Sequence, residues 1–212
     1  MAMENFLDQL AWTTDPWSAS HQGAGVFAAR VITGEADAAW QRRYFQWLDQ
    51  EVDEVTGFWR RGSVAWSPHA QGKPIFHHLA GSFHYLFNQE WARWPLRHPA
   101  AMVDSCLRLW NENHWSLGQG LGFAEIDWIY CLNRAWRQSG HRTDEVVDTL
   151  ETMATFFVTR LHQRLNVEPV PFPDLHSLFG TLCALAELQS ALPGRLRSEK
   201  PLKLVLDRRP FI

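Results

Sequence analysis

The sequence has few cysteines, little net charge and no long apolar run, and each shortage excludes a class of protein. Cys106, Cys131 and Cys183 are the only cysteines among 212 residues. Their odd number and wide spacing predict free thiols in a reducing compartment, so we expect a cytoplasmic protein without a disulfide framework. The net charge of -3, without a Lys/Arg cluster, argues against nucleic-acid binding. No apolar run approaches the ~20 residues of a membrane helix, and we expect no signal peptide.

Alternation of apolar and polar residues with a period of two is also almost absent. The exception is LKLVLD (202–207), which predicts a short C-terminal strand within an extended arm, 200–212. Elsewhere apolar residues recur at spacings of three and four, which is typical of amphipathic helices. We therefore predict an all-α fold in which residues 1–212 form a single domain.

Four segments indicate an internal repeat. His21 and His77 each begin the pattern H-x-x-A-G-x-F, 56 residues apart. His176 begins HSLFGTL, which keeps the histidine and the glycine four residues later. Glu125 begins EIDWIYC, 48 residues after His77 and 51 before His176, and so occupies the remaining slot. We expect these four residues to lie about one turn into four successive helices.

A second, amphipathic segment follows each of the first three repeat starts, at 38–53, 100–113 and 143–165. Thr143, followed by two acidic residues, is a favourable helix start. A helix that is apolar on nearly all sides is buried, and an amphipathic one covers it. The pattern therefore predicts stacked helical hairpins, with an inner row of helices backed by an outer row.

This arrangement resembles the α/α-toroid families, meaning the six-hairpin glycosidases and the terpenoid cyclase and protein prenyltransferase group. The segment WLDQEVDEVTGFW (47–59) is similar to their passage from an outer helix to a loop, where a D-x-x-T-G-x-W turn returns the chain to the inner face. The resemblance implies a partial toroid of three hairpins and part of a fourth, with the active site at the mouth formed by the inner helices. The cyclase motifs D-x-D-D and D-D-x-x-D are absent from the sequence. Their absence argues against cyclase chemistry.

The helix that contains His77 carries a polar stripe. At ~100° per residue, His77, Gly81, His84 and Asn88 share one face of an otherwise apolar helix, so we expect this stripe to face a cavity. His77 and His84 lie about 10 Å apart along the helix axis, and equivalent side chains on helices ~8–10 Å apart are too distant for metal bonds of ~2 Å. We therefore expect no metal and no other cofactor. Histidines held by hydrogen bonds between helices are the structural alternative to a pocket wall. The residues predicted to line the pocket are His21, His77, His84 and His176.

Four other residues in the inner helices have predicted structural roles. Asp15, which precedes Pro16, and Asp174 are each predicted to cap a helix N-terminus, and both are also candidate ligand-binding residues. Gly25 and Gly81 lie inside helices, where glycine costs about 1 kcal/mol relative to alanine. We therefore expect each glycine to permit close approach of a neighbouring helix or a ligand.

Glu125 and Asp127 are the candidate catalytic residues, because buried acids are rarer than buried histidines. Glu125 takes a histidine slot in an apolar segment, and partial burial is expected to raise its pKa, as a general acid requires. Glycoside cleavage needs a second carboxyl group, which Asp15 or Asp174 could supply. A lyase that uses a histidine or tyrosine base is an alternative, as is a structural Glu125 that accepts a hydrogen bond from a neighbouring histidine.

Twelve tryptophans provide large flat apolar surfaces with a polar N–H, which suit sugar rings. Trp17 and Trp128 lie nearest the candidate residues and are predicted to contact the ligand. We expect a carbohydrate-active enzyme or enzyme-like protein, of hydrolase or lyase type, that binds an oligosaccharide or other small molecule on a concave face. The alternatives are a non-catalytic interaction or scaffold module and a protein that handles terpenoid or prenyl groups. A partial ring also suggests a homodimer, and neither nucleic acid nor membrane is expected as a partner.

Overall fold

The computed structural model describes residues 2–66, 74–113, 117, 120–168, 170–172 and 174–210. These residues contain no β-strand, so the predicted all-α class is confirmed within them. A short 3₁₀ helix spans Val205–Arg208. The α-helices, in chain order, are α1 (Met3–Asp8), α2 (Pro16–Ile32), α3 (Ala38–Glu51), α4 (Ile75–Ala92), α5 (Pro99–Asn111), α6 (Phe123–Ser139), α7 (Thr143–Val167) and α8 (Leu175–Ala191).

The helices follow the hairpin pattern of the sequence. The segments predicted as outer helices coincide with α3, α5 and α7 within a few residues. The predicted inner helices are α2, α4, α6 and α8, and the repeat slots are the sixth residue of α2, the third of α4 and α6, and the second of α8. Only α4 and α6 are buried along nearly their whole length, whereas α2 and α8 each keep an exposed side. The inner helices therefore differ more in burial than their shared pattern predicts.

The chain divides into two compact units, Met1–Met102 with Leu206–Ile212, and Val103–Val205. In the first unit α2 packs on α4, and α1 contacts α3. In the second unit α8 packs on α6 and α7. The C-terminal segment returns to the first unit, where Leu206 is buried and the Asn88 side-chain amide donates to the Pro210 carbonyl.

In the first unit, the Arg60 side chain connects α1 to α3. Its guanidinium donates to Glu51 through Nε and to Asp8 through Nη2, both at 2.6 Å. The same group lies over the ring of Trp47, 5.3 Å from its centroid. A planar cation that satisfies two carboxylates and an aromatic face holds the end of α1 against the end of α3.

The D-x-x-T-G-x-W segment forms a tight turn after α3. The Asp53 carboxylate accepts hydrogen bonds from the backbone N–H and hydroxyl of Thr56, both at 2.8 Å. Gly57 follows with φ of +74°, a conformation that side chains with a Cβ rarely adopt. The backbone N–H of Trp59 then donates to Ser82 Oγ on α4 at 3.1 Å. The turn therefore connects the end of α3 to the side of α4.

In the second unit, a buried ion pair connects α6 to α8. Arg134 on α6 and Glu187 on α8 have side chains only 2% and 1% exposed. Arg134 Nε donates to Glu187 Oε2 at 3.3 Å, and Asn133 Nδ2 donates to the same oxygen at 2.7 Å. Two buried charges persist only when paired and hydrogen-bonded, and this cluster provides both between α6 and α8.

The predicted C-terminal strand is wrong. Residues 201–204 are irregular and the 3₁₀ helix follows. The Leu202 N–H donates to the Gln189 side chain at 2.9 Å rather than to a partner strand. A strand needs a partner for its backbone groups, and the described residues provide none.

The predicted roles of the two helical glycines have different outcomes. A Cβ on Gly81 would lie 3.1 Å from the Pro16 carbonyl oxygen, so close approach of α2 to α4 is confirmed there. The prediction that a neighbouring helix approaches Gly25 closely is wrong, because a Cβ there would meet no atom of the described residues within 4 Å. Close approach in α2 occurs at Gly23, where a Cβ would lie 2.3 Å from the Tyr85 hydroxyl oxygen.

Candidate functional site

Four of the predicted ligand-binding residues come together in the first unit. We call Trp17, His21, His77 and His84 the α2–α4 surface. The Trp17 and His77 rings meet edge to face, with centroids 5.8 Å apart. The His21 and His84 rings lie 4.1 Å apart. His21 is exposed, Trp17 and His77 are half-buried, and His84 is buried. The surface therefore presents aromatic and imidazole groups to the outside over a buried histidine.

Hydrogen bonds determine which ring nitrogen of His84 carries the proton. The Ser20 hydroxyl donates its only hydrogen to the Trp17 carbonyl at 2.6 Å. Ser20 Oγ therefore accepts from His84 Nδ1, 2.8 Å away, so His84 carries its proton on Nδ1. Burial, assisted by nearby His21, lowers the pKa of His84 to about 3. His84 is consequently uncharged at neutral pH, and its tautomer is set by α2.

The polar stripe of α4 does not face a cavity along most of its length, which corrects the sequence-based expectation. Gly81 contacts the start of α2, and His84 bonds to Ser20. Asn88 Oδ1 accepts from the Tyr44 hydroxyl at 2.7 Å. The stripe is therefore a polar seam between helices, and only its His77 end reaches the surface.

Asp15 and Asp174 both cap helices, as predicted. Asp15 accepts from the Ser18 N–H at 3.3 Å at the start of α2. Asp174 accepts from the Ser177 N–H at 2.7 Å at the start of α8, and this bond lowers the pKa of Asp174. Each carboxylate is thus held at a helix N-terminus in its own unit, where the helix dipole favours negative charge.

The second unit contains a cavity of about 470 Å³, and Glu125 is bonded to one of its lining residues. The cavity is lined by Gly120 and Leu121 and by residues of α7 that include Arg160 and Arg164. Glu125 is buried, and its Oε1 accepts from the Gly120 N–H at 3.3 Å. The backbone segment that forms one edge of the cavity is therefore bonded to the candidate catalytic carboxyl group.

The environment of Asp127 favours the protonated form of its carboxyl group. Its carboxyl group is buried, and no hydrogen bond to it is found within the described part of the chain. Burial, reinforced by the nearby charge of Glu125, raises the pKa of Asp127 well above its usual value. Residues two apart on a helix point in different directions, so Glu125 and Asp127 cannot form a facing catalytic pair by themselves.

The two remaining predicted ligand-binding residues of the second unit differ in exposure to solvent. Trp128 is fully buried, donates from Nε1 to the Cys106 carbonyl at 2.8 Å, and belongs to the core. His176 is exposed at the start of α8, with its ring 6.1 Å from that of Phe123. Thus His176 is accessible to a ligand, whereas Trp128 contacts only protein in this conformation.

Sequence reasoning missed Ser20, Arg134 and Glu187. Ser20 carries no distinctive pattern, because its role depends on a partner 64 positions away. Glu187 was detectable in principle, since it is a lone acid in the apolar run LCALAEL. A single charge inside an otherwise apolar helix calls for a buried partner.

Within the described residues, no group of three histidine, cysteine or acidic side chains is arranged to hold a metal ion. None of the helices described is both long and apolar enough to cross a membrane. Comparison with known proteins adds no relative: no family model, curated protein or solved structure matches this chain.

Proposed function

We propose that the protein is carbohydrate-active and binds a sugar-containing ligand on the α2–α4 surface. The observation that carries the proposal is the half-buried pair of Trp17 and His77 beside exposed His21. An indole offers a flat apolar face and a polar N–H to a sugar ring. Imidazoles both donate and accept hydrogen bonds, as hydroxyl groups require.

The electrostatics of this surface support a neutral ligand. His84, beneath His21, is uncharged at neutral pH because of its burial. The nearby Asp15 carboxylate is engaged in capping α2. A polar surface without a dominant charge suits hydroxyl groups better than phosphate or sulfate groups. The resemblance to α/α toroids, with inner helices that carry the active site, points to the same helices.

A glycan array tests this proposal. We expect the parent protein to bind a restricted set of neutral oligosaccharides, and Trp17→Ala to lose that binding. Trp136→Ala is the matched control, since Trp136 is also half-buried but lies on α6 in the second unit. Equal loss in both variants, or no glycan bound by the parent, would contradict the proposal.

The catalytic part of the proposal concerns the second unit by itself, where the N–H of Gly120, a residue that lines the cavity, donates to Glu125. If Glu125 is a general acid for a glycan held in that cavity, Glu125→Gln lowers turnover by ~10²–10⁴ while the fold is kept. If it is structural, the variant loses stability and activity only in proportion to the folded fraction. Release of reducing ends, measured beside thermal unfolding, separates the two roles.

An interaction module is the second candidate, and exposed apolar residues on α8 favour it. Leu175, Phe179 and Leu182 are 82%, 41% and 47% exposed. Their spacing of four and three places them on one face of the helix. A protein of this kind would associate through that face, so Phe179→Ser would abolish self-association in analytical ultracentrifugation without changing glycan binding.

A further inference from the structure

A cavity of about 400 Å³ lies among α1, α2 and α3 of the first unit. Phe6, Val26 and the Trp40 indole contribute apolar surface to its lining. Its volume is at the lower end of the ~300–1,000 Å³ range of small-molecule sites. The cavity shares no residue with the α2–α4 surface.

Arg30 is held at this cavity, and its ion pair with a carboxylate is long. Its guanidinium lies over the Trp40 ring, 5.0 Å from the centroid. Its Nη2 donates to the backbone carbonyl of Glu35 at 3.1 Å, whereas the Glu35 carboxylate is 3.9 Å from Nη1. Arg30 Nε is buried and has no hydrogen-bond partner among the described residues. The group is oriented by an aromatic ring and a carbonyl, and it keeps unused donor capacity.

Arg43 provides a second positive charge from α3. It lines the same cavity, one turn after Trp40, and makes no hydrogen bond or ion pair with any described residue. Glu4 is the acidic residue of the lining, so the two arginines leave the cavity net positive. Guanidinium groups bind carboxylates through parallel hydrogen bonds that are stronger than neutral ones.

We propose that this cavity binds a small carboxylate with an aromatic or aliphatic body. The carboxylate lies against Arg30 and Arg43, and the body packs on Phe6 and Val26. The proposal uses residues that play no part in sugar binding, so either can fail without the other.

Fluorine NMR with 4-fluorophenylacetate as the probe tests the site, with 4-fluorophenylacetamide as its neutral counterpart. We expect saturable binding of the acid and at least about tenfold weaker binding of the amide, because the amide lacks the charge. Arg43→Gln should weaken binding of the acid by about tenfold or more. Arg42→Gln is the matched control, since Arg42 is the neighbouring exposed arginine and does not line the cavity.

Arg43→Lys adds a second measurement, because it keeps the charge and loses the planar fork. We expect its affinity for the acid to fall between those of the parent and Arg43→Gln. The proposal is overturned if the acid shows no saturable binding, if the amide binds as tightly as the acid, or if Arg42→Gln weakens binding as much as Arg43→Gln. Circular dichroism of each variant confirms that the fold is kept.

Discussion

The helix pairs α2–α4 and α6–α8 come from the same repeat but pack through different chemistry. Between α2 and α4 the buried polar groups are neutral: the Ser20 hydroxyl bonds to the His84 imidazole. Between α6 and α8 they are charged, with Arg134 bonded to Glu187. The first pair keeps partly exposed aromatic and imidazole groups at its edge, whereas the polar cluster of the second is enclosed. The comparison teaches that a repeat pattern specifies where helices meet, while single residues decide whether the buried polar contact between them is neutral or charged.

Removing the ion pair should have the largest effect. We expect Arg134→Met to lower the free energy of unfolding by about 3–5 kcal/mol, because Glu187 is left as an unpaired buried charge. Urea denaturation followed by circular dichroism measures the loss. The control is Arg164→Met, whose partly exposed pair with Glu168 is worth at most about 1 kcal/mol.

The double variant Arg134→Met with Glu187→Leu sharpens this test. Removing both charges should restore most of the lost stability, since apolar replacements of a buried pair are often tolerated. A single variant that unfolds no more easily than the surface control, or a double variant no better than the single, would show that the charge pair is not what sets this packing.

Two glycines of α2 should respond to alanine in opposite directions. Gly23→Ala places a methyl group against the buried Tyr85 ring, so we expect a net loss of about 1–2 kcal/mol even after the gain in helix propensity. Gly25→Ala meets open space and should stabilise by up to about 1 kcal/mol. Urea midpoints of both variants provide the comparison. Equal shifts would mean that α2 and α4 do not approach closely at Gly23.

The stability effect that depends on pH should come from Asp127. Because its pKa is raised in the folded state, the folded chain holds a proton that the unfolded chain releases above about pH 3.8. Its stabilising contribution is complete below that pH and is lost as the pH rises through the folded-state pKa. Asp127→Asn should therefore reduce the decline in unfolding free energy between about pH 5 and pH 8.

Asp174→Asn is the opposite control. Hydrogen bonding lowers the pKa of Asp174, so its contribution is present above the unfolded value and is lost only as the pH falls through the lowered pKa. This variant should match the parent in slope above about pH 5 and differ in acid. If Asp127→Asn leaves the slope above pH 5 unchanged, the Asp127 carboxyl group is not held in its protonated form.

Much of the fold was predictable, because helix signals are local. The spacing of apolar residues located α3, α5 and α7, and Asp15 before Pro16 marked the start of α2. The strand prediction for 202–207 failed because alternation of apolar and polar residues says nothing about whether a partner strand exists. Gly25 misled because a glycine in a repeat slot need not be the one that touches the neighbouring helix.

The candidate site was predictable only in part. The repeat predicted neighbouring helices for His21 and His77, and α2 does pack on α4, but the contact between the His21 and His84 rings was not predicted. It did not reveal that Trp128 is enclosed, since a tryptophan has the same pattern in a core and in a pocket. The tautomer of His84 depends on Ser20, and contacts between residues distant in sequence carry no local signal.

Indole N–H NMR of the protein labelled with ¹⁵N-tryptophan tests the account most directly. Each of the twelve tryptophans contributes one indole N–H signal, and its chemical shift reports on the surroundings of that side chain. Titration with the neutral oligosaccharides that bind on the array should shift the Trp17 signal saturably and leave that of Trp136 in place. A titration that moves the Trp136 signal and not the Trp17 signal, or that moves neither, would contradict sugar binding on the α2–α4 surface.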